Sequence, residues 1–520
     1  MTAQNFPREH VSKWVPRSQS VLVTLIIMTS FVDSVLLGYD GSIMGSLNTM
    51  KAYTNYFTLT TSTTSLLTAA SYLGGCIMAP LSGFITDWRG RRETILWSCI
   101  ITLLGVILQT ASVNIAMFII GRIVIGGGSA VAATATPIYV VETSPPKFRA
   151  FAMGLYYTCW GVGTLIASGI CYGTQDYVST WAWRAPSVFQ AAAPIFCMVI
   201  LLFLPHSPRE LIKRDQHDHA LEVLAIVNAG GDKSDPAVLL QYHEIADTIA
   251  FEKSGGGRQL TMKEAWVKPG NRKRLIIAIS FAAIVMLPGT NIITYYFGTM
   301  MTQAGITDSR TQLEINCIMT AWGLIIAMLA SYYTDKFRRK TMVVSGLIGG
   351  IVALFLFAGL DAVYGNGSSN KSGIYATIGM MFLYVGTYSW GITPPTVLIP
   401  AEVLSYDIRA TGMSAYTMGT KLCGLFVTFV FPYALDAITW KTYIINSCFD
   451  ILMVLFVAFY YVETRGLTLE EIDSKFDGVK HSDVPDLEQL KAGKAKLVIE
   501  GIPVGGKGEE ITVSSKPTRE

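Results

Sequence analysis

The sequence predicts an all-α integral membrane protein, with twelve transmembrane helices arranged as two six-helix bundles around a polar central segment. Three observations carry that expectation. The chain of 520 residues is 51% hydrophobic and 15% charged, with a mean hydropathy of +0.42. Soluble proteins carry about 25% charged residues, so this chain has too little charge to cover a water-facing surface. Its apolar residues fall in runs that meet the ~20 residues needed to cross a hydrocarbon core of ~30 Å. Finally, the runs come as six, a polar interval, and six more, the pattern left by two repeats related by an axis along the membrane normal.

Taken in order, residues 1–20 form a polar N-terminus carrying Arg8, Lys13 and Arg17. That is not the layout of a cleaved signal peptide, so the first long run serves as an uncleaved insertion signal. The first bundle, 21–204, has spans near 21–44, 64–86, 94–112, 115–141, 150–172 and 185–204. The second, 273–461, has spans near 273–301, 313–333, 341–361, 374–400, 410–434 and 442–461. Between them, 205–272 reads as short amphipathic helices at His219–Val227 and Ala237–Phe251, with a third at Met262–Val267 after Gly255-Gly256-Gly257. In the tail, 462–520, Thr468 and Glu471 have the capping-box spacing and open a helix through Phe476. From about 480 onward the polar, Gly/Lys/Glu-rich composition predicts disorder.

Charge in the short loops predicts the orientation. Arg89, Arg91 and Arg92 lie between spans 2 and 3, and Lys336, Arg338, Arg339 and Lys340 between spans 8 and 9. The alternate loops hold only isolated basic residues such as Lys51, Arg310 and Lys371. The positive-inside rule then puts both termini in the cytoplasm. The two Asn-x-Ser/Thr acceptors, Asn366 and Asn370, both fall in the loop between spans 9 and 10, which this topology makes external and open to glycosylation.

Other function classes find no support. The eight cysteines all lie within predicted spans with no C-x-x-C spacing, and read as small packing residues. No G-x-x-x-x-G-K-[ST] loop is present to power ATP-driven pumping. The net charge of +3 is small and its basic residues sit at helix ends, which suits lipid headgroups and not nucleic acid. No nucleophile–base or metal-ligand constellation points to an enzyme, and no cofactor is expected.

The loops carry a family likeness. Gly83-Phe84-Ile85-Thr86-Asp87-Trp88-Arg89-Gly90-Arg91-Arg92 resembles the G-x-x-x-D-R-x-G-R-R signature of the major facilitator superfamily, and Ser331 to Lys340 repeats it in weaker form with Asp335 and Arg339-Lys340. Gly121-Arg122 with Gly126 and Gly128 resembles the fourth helix of sugar porters. Pro137, Tyr139, Glu142, Pro145 and Arg149 fit P-x-Y-x-x-E-x-x-P-x-x-x-R. Pro205-His206-Ser207-Pro208-Arg209 is similar to P-E-S-P-R, and Val462-Glu463-Thr464-Arg465-Gly466 to P-E-T-K-G. The stretches Pro400 to Arg409 and Ala434 to Lys441 are similar to the fungal branch of lactose permease-like proteins and hexose transporters. The likeness covers about residues 20–475 and implies the major facilitator fold.

The resemblance also implies roles. Acids and bases at the cytoplasmic helix ends pair in one access state and separate in the other, each biasing the equilibrium by about 1–3 kcal/mol. Asp87, Arg89, Arg91, Arg122, Glu142 and Arg149 are the expected network of the first half, with Asp335, Arg339, Glu402 and Arg409 in the second. A plainer reading of Arg91, Arg92 and Lys340 is that they only anchor the loops by the positive-inside rule.

Substrate is expected near the bilayer midplane at interrupted helices. Span 7 has its breaker at Pro288-Gly289, followed by Thr290, Asn291 and Tyr295. This resembles the sugar-porter Q-Q-x-x-G-x-N, with Val285 and Met286 in place of the glutamines. Losing two amides removes hydrogen-bonding sites that sugar hydroxyls use. Tyr157, Trp390, Thr420 and Lys421 complete the expected substrate contacts, and Val397 and Ile399 replace the family's aromatic pair in span 10. Asp40 matches the family's first-helix aspartate, the proton acceptor of its symporters. Asp33 has no such counterpart, and Lys421 either pairs with Asp450 or faces the cavity and favours an anionic substrate.

The function these residues imply is secondary transport by a monomer in the plasma membrane, moving a sugar or sugar-like solute together with H+ by alternating access. The alternatives are a carrier of the same fold, importer or exporter, for an organic acid or fungal metabolite, and a nutrient sensor.

Overall fold

A computed structural model describes residues 11–253, 262–334, 336–364, 370–405, 408–464 and Phe476. The side chains of Tyr157, Arg149 and Arg409 lie outside the described residues, as do Asp335, Asn366 and the expected tail helix apart from Phe476. Every regular element among the described residues is helical.

The first half comprises α1 (Gln19–Thr49), α2 (Lys51–Phe57), α3 (Thr61–Arg89), α4 (Arg91–Thr110), α5 (Ile115–Thr143), α6 (Pro146–Thr174), α7 (Trp181–Phe189) and α8 (Ala192–Leu202). Four short helices follow: α9 (Pro208–Lys213), α10 (His217–Ala229), α11 (Pro236–Lys253) and α12 (Met262–Val267). The second half comprises α13 (Pro269–Met286), α14 (Thr290–Gln303), α15 (Ser309–Tyr333), α16 (Arg339–Tyr364), α17 (Lys371–Gly391), α18 (Pro395–Val403), α19 (Arg409–Ile438) and α20 (Lys441–Tyr460). Among the described residues, ten helices or joined helix pairs are long and apolar enough to cross a membrane. The two other expected spans are α6 and α17, of 29 and 21 residues, which at 1.5 Å per residue reach ~44 and ~32 Å.

Three expected spans are broken helices, and proline explains each break. A proline has no N–H to give and clashes with the carbonyl four residues back. Pro194 ends the run between α7 and α8, Pro288 that between α13 and α14, and Pro394-Pro395 that between α17 and α18. The first span also runs farther than its apolar stretch suggested, to Thr49. Helix α9 was not anticipated; Pro208 stands at its start, where a missing N–H costs nothing.

Within each half the helices approach through glycine, as membrane helices do where van der Waals packing has to hold them together. Helix α3 meets α5 at Gly74 and Gly126, where an added Cβ would lie 1.9 Å from the carbonyls of Ile123 and Ser71. In the second half Gly346 of α16 and Gly391 of α17 meet backbone to backbone. The halves join along three seams: α3 on α19, α6 on α15 and α1 on α14. Large apolar side chains such as Ile77, Phe84, Leu104, Ile107, Leu329 and Phe459 are left exposed on the outer surface, the face a bilayer would cover. One end of the bundle carries Arg89–Arg92 and Arg338–Lys340 together with the short helices, and is called the basic end below.

Candidate functional site

Helix α1 leaves Asp40 nine residues short of its end at Thr49, with only 4% of the residue exposed. Gln190, at the joint of α7 and α8, donates its amide N–H to Asp40 Oδ1. The Gln190 carbonyl meanwhile accepts from Gln109 Nε2 at 3.3 Å, which turns the NH2 group toward Asp40. Arg122 of α5, 1% exposed, donates Nη2 to the Asp40 backbone carbonyl at 3.3 Å. Its Nε and Nη1 have no hydrogen-bond partner, nor does Asp40 Oδ2. The expectation that Arg122 joins the network at the basic end is therefore corrected. Helix α5 starts from the opposite end, so Arg122 lies about two turns inside that end, beside Asp40.

Across the seam, the hydroxyls of Tyr72 in α3 and Tyr295 in α14 meet at 2.8 Å. The Tyr295 carbonyl accepts from Asn48 of α1 at 3.4 Å. Lys421 of α19 turns to the first half. A Cβ on Gly75 would stand 2.9 Å from its Cδ, and its Nζ lies 5.9 Å from the centre of the Tyr72 ring. It is not paired with Asp450, which sits buried in the second half near Asn446, 3.5 Å away. Among the described residues, no carboxylate oxygen lies within 4.0 Å of Lys421 Nζ.

The other expected substrate residues are placed differently. Asn291 donates to the Met286 carbonyl at 2.6 Å, the Thr290 carbonyl accepts from Thr294 at 2.9 Å, and Thr420 donates to the Thr417 carbonyl at 2.7 Å. The Asn291 and Thr420 side chains thus satisfy local backbone in this state. Trp390 stands apart from Tyr295 and Lys421, its ring centre 6.5 Å from Tyr333 and 5.7 Å from Phe337 near the basic end of α15. Val285 packs in an apolar cluster with Phe281, Leu347 and Tyr416. Asp33 is 2% exposed and accepts from the Tyr156 hydroxyl at 2.9 Å.

At the end opposite the basic loops the halves are tied together. Ser309 donates to the Thr49 carbonyl at 2.5 Å, Tyr172 to Glu314 at 2.8 Å, and Thr61 to Asp436. Arg310 lies 3.4 Å from Asp176, and Asn316 reaches Ser46 and Ser168 at 3.2 and 3.3 Å. This end is closed.

At the basic end the ion pairs lie within each half. Arg91 meets Asp87 at 3.1 Å and Glu142 at 3.2 Å, and Ser207 donates to Glu142. Arg339 meets Glu402 at 3.5 Å, and Thr464 donates to Glu402 at 2.5 Å. Arg89, expected in this network, instead holds its guanidinium 4.7 Å over the exposed Trp88 ring. As the last residue of α3 it points outward, where a headgroup region would receive it. Sequence reasoning missed Glu210, whose carboxylate accepts from the Arg91 backbone N–H at 3.1 Å. It also missed Gln190, Gln109 and Tyr72; a polar amide inside an apolar run was the available signal for the two glutamines.

Two glycine-packed helical halves, closed at one end over a buried charged cluster, define a multi-pass membrane transporter. The chain belongs to the family described as "Sugar (and other) transporter", whose sequence model matches residues 25–476. It is 30% identical to a high-affinity glucose transporter of Kluyveromyces lactis, over 85% of this chain and 83% of that one. It is 28% identical to the MFS glucose transporter mfs1 of Aspergillus flavus, over 85% and 87% of the two chains. The proton:xylose symporter XylE, solved with 6-bromo-6-deoxy-D-glucose, superposes with a TM-score of 0.71 at 19% identity, over 88% of this chain and 100% of that one.

Proposed function

We propose that this chain imports a sugar or sugar-like solute by proton symport across the plasma membrane, as a monomer with its basic end in the cytoplasm. The observation that carries the reading is the buried Asp40 carboxylate, held by Gln190 and adjoining Arg122. An ionisable residue at that depth is costly to keep without a use. Protonation of Asp40 removes a negative charge beside Arg122 and weakens its hold between α1 and α5, so proton binding biases how the first half packs. The glucose transporters and the xylose symporter that this chain is similar to support the substrate class and the coupling. The external loop then carries Asn366 and Asn370 as glycosylation sites. Arg149, Asp335 and Arg409 keep their proposed places in the gating network by motif alone.

The test is uptake by a yeast strain lacking its own hexose carriers, screened over hexoses, polyols and sugar acids at two external pH values. Accumulation above the external level that collapses when the pH gradient is removed is expected. Uptake of every solute that merely equilibrates would sink the symport reading, and no uptake of any would sink the whole of it. A second reading, a carrier for a substrate other than a neutral sugar, is favoured by Val285 and Met286 standing where sugar porters place amides.

A further inference from the structure

The geometry points to a sugar-derived monocarboxylate, an aldonate or a uronate, as the solute, with its carboxylate docked on Lys421; this rests on the midplane sugar-symport reading above. Lys421 lies twelve residues from the start of α19, ~18 Å along the helix axis and so near the bilayer centre. A lysine there is normally paired or turned toward an aqueous path. Among the described residues that pairing is not met. Asp450 lies elsewhere, and no described carboxylate is within 4.0 Å of Nζ. Nor does the stem turn to lipid. It lies in the seam against Gly75, and the absence of a side chain at that residue is what makes room, since a Cβ would be 2.9 Å from Cδ.

The surroundings suit an anion. The seam presents the Tyr72 and Tyr295 hydroxyls, 2.8 Å apart, both able to donate once they part. Arg122, 1% exposed, keeps Nε and Nη1 without partners, and among the described residues Asp40 is the carboxylate whose charge acts on both cations. With Asp40 ionised, it offsets one of the two cations and leaves a single positive charge. A monocarboxylate entering with one proton on Asp40 keeps the site at that single positive charge, whereas a neutral hexose entering with a proton raises it to two. A sugar phosphate dianion entering with one proton would not hold that balance. Polyhydroxylated acids also fit a site with fewer amides, because a carboxylate supplies strong, charge-assisted hydrogen bonds.

Charge also supplies the readout. A proton moving with a neutral sugar carries current, and a proton moving with a monoanion carries none. The full chain is reconstituted in liposomes and offered D-gluconate, D-glucuronate, D-glucose and D-glucose 6-phosphate, with and without an imposed membrane potential. Gluconate or glucuronate uptake driven by a pH gradient and unchanged by the potential is expected. Lys421→Gln should lose at least tenfold of it while remaining monodisperse in detergent, and Lys421→Arg should keep most of it. Glucose transported with inward current, acids and phosphate ignored, would overturn the inference and leave sugar symport standing. Phosphate preferred over the acids would overturn the single-charge argument. If Lys421→Gln moves only the pH profile and not the choice of solute, Lys421 merely balances Asp40 and the inference fails. If none of the four is transported, the symport reading fails with it.

Discussion

Arg91 and Arg339 hold equivalent positions in the two halves. Each is the first residue of its helix, α4 or α16, and each gives its backbone N–H to a glutamate that follows the last span of its half. Arg91 donates to Glu210 at 3.1 Å and Arg339 to Glu463 at 2.8 Å. Each guanidinium then faces a second glutamate, Glu142 at 3.2 Å or Glu402 at 3.5 Å. A hydroxyl steadies each of those, from Ser207 or Thr464. One four-part device thus ties down the basic end of each half.

Glu142→Gln and Glu402→Gln should each loosen this device and shift the balance of access states by about 1–3 kcal/mol, a factor of roughly 5–150. Thiol labelling of cysteines placed at Gly83 and Ser414, which face each other near the basic end, would report it. Unchanged labelling rates in both variants would show that these pairs only anchor the loops.

Asp40→Asn should abolish uphill accumulation while exchange of solute across the membrane persists. An amide keeps the shape of the carboxylate but does not carry a titrating proton. A variant that still concentrates solute under a pH gradient would remove Asp40 from the coupling step.

Gly45 of α1 sits where an added Cβ would be 1.9 Å from the Thr294 carbonyl of α14. Gly45→Val should therefore hold the end opposite the basic loops open, raising thiol labelling at that end and lowering uptake at least tenfold. Wild-type uptake by this variant would mean that α1 and α14 need not approach so closely.

Glu210 lies outside the spans in α9. Burial pushes its carboxyl upward, but the His206 hydrogen bond and charge, the Arg214 charge and the Arg91 N–H outweigh that and leave it below the ordinary carboxylate value. A carboxylate lowered on folding contributes stability above its unfolded pKa and loses it as pH falls through the folded one. Thermal unfolding in detergent should thus drop between neutral pH and pH ~4 by more in the native protein than in Glu210→Gln. Parallel curves would show no such linkage.

For topology, a reporter fused after Glu520 should resist external protease, and Asn370→Gln together with Asn366→Gln should remove any glycan-dependent shift in gel mobility. Asn370 also caps α17, accepting from the Gly373 N–H at 3.3 Å, so the double change should lower stability by about 1 kcal/mol. A protease-sensitive reporter would overturn the proposed orientation.

Much of this was legible from the chain alone, for a physical reason: a bilayer demands apolar runs of a set length, and those are one-dimensional features. The helical class, the proline at 288 and the family motifs are all features of that kind. Depth and facing are not. Arg122 was misplaced because its motif was read without the depth that the loop charges give the start of α5, and Lys421 could pair with Asp450 or face the cavity until α19 was docked on α3. Glu210 carried no signal in the sequence, and became a cap of α4 only when α9 folded back beneath it. Which polar groups meet depends on how helices distant in sequence rotate and close on one another, and that is settled by glycine contacts and buried hydrogen bonds formed together in the assembled bundle.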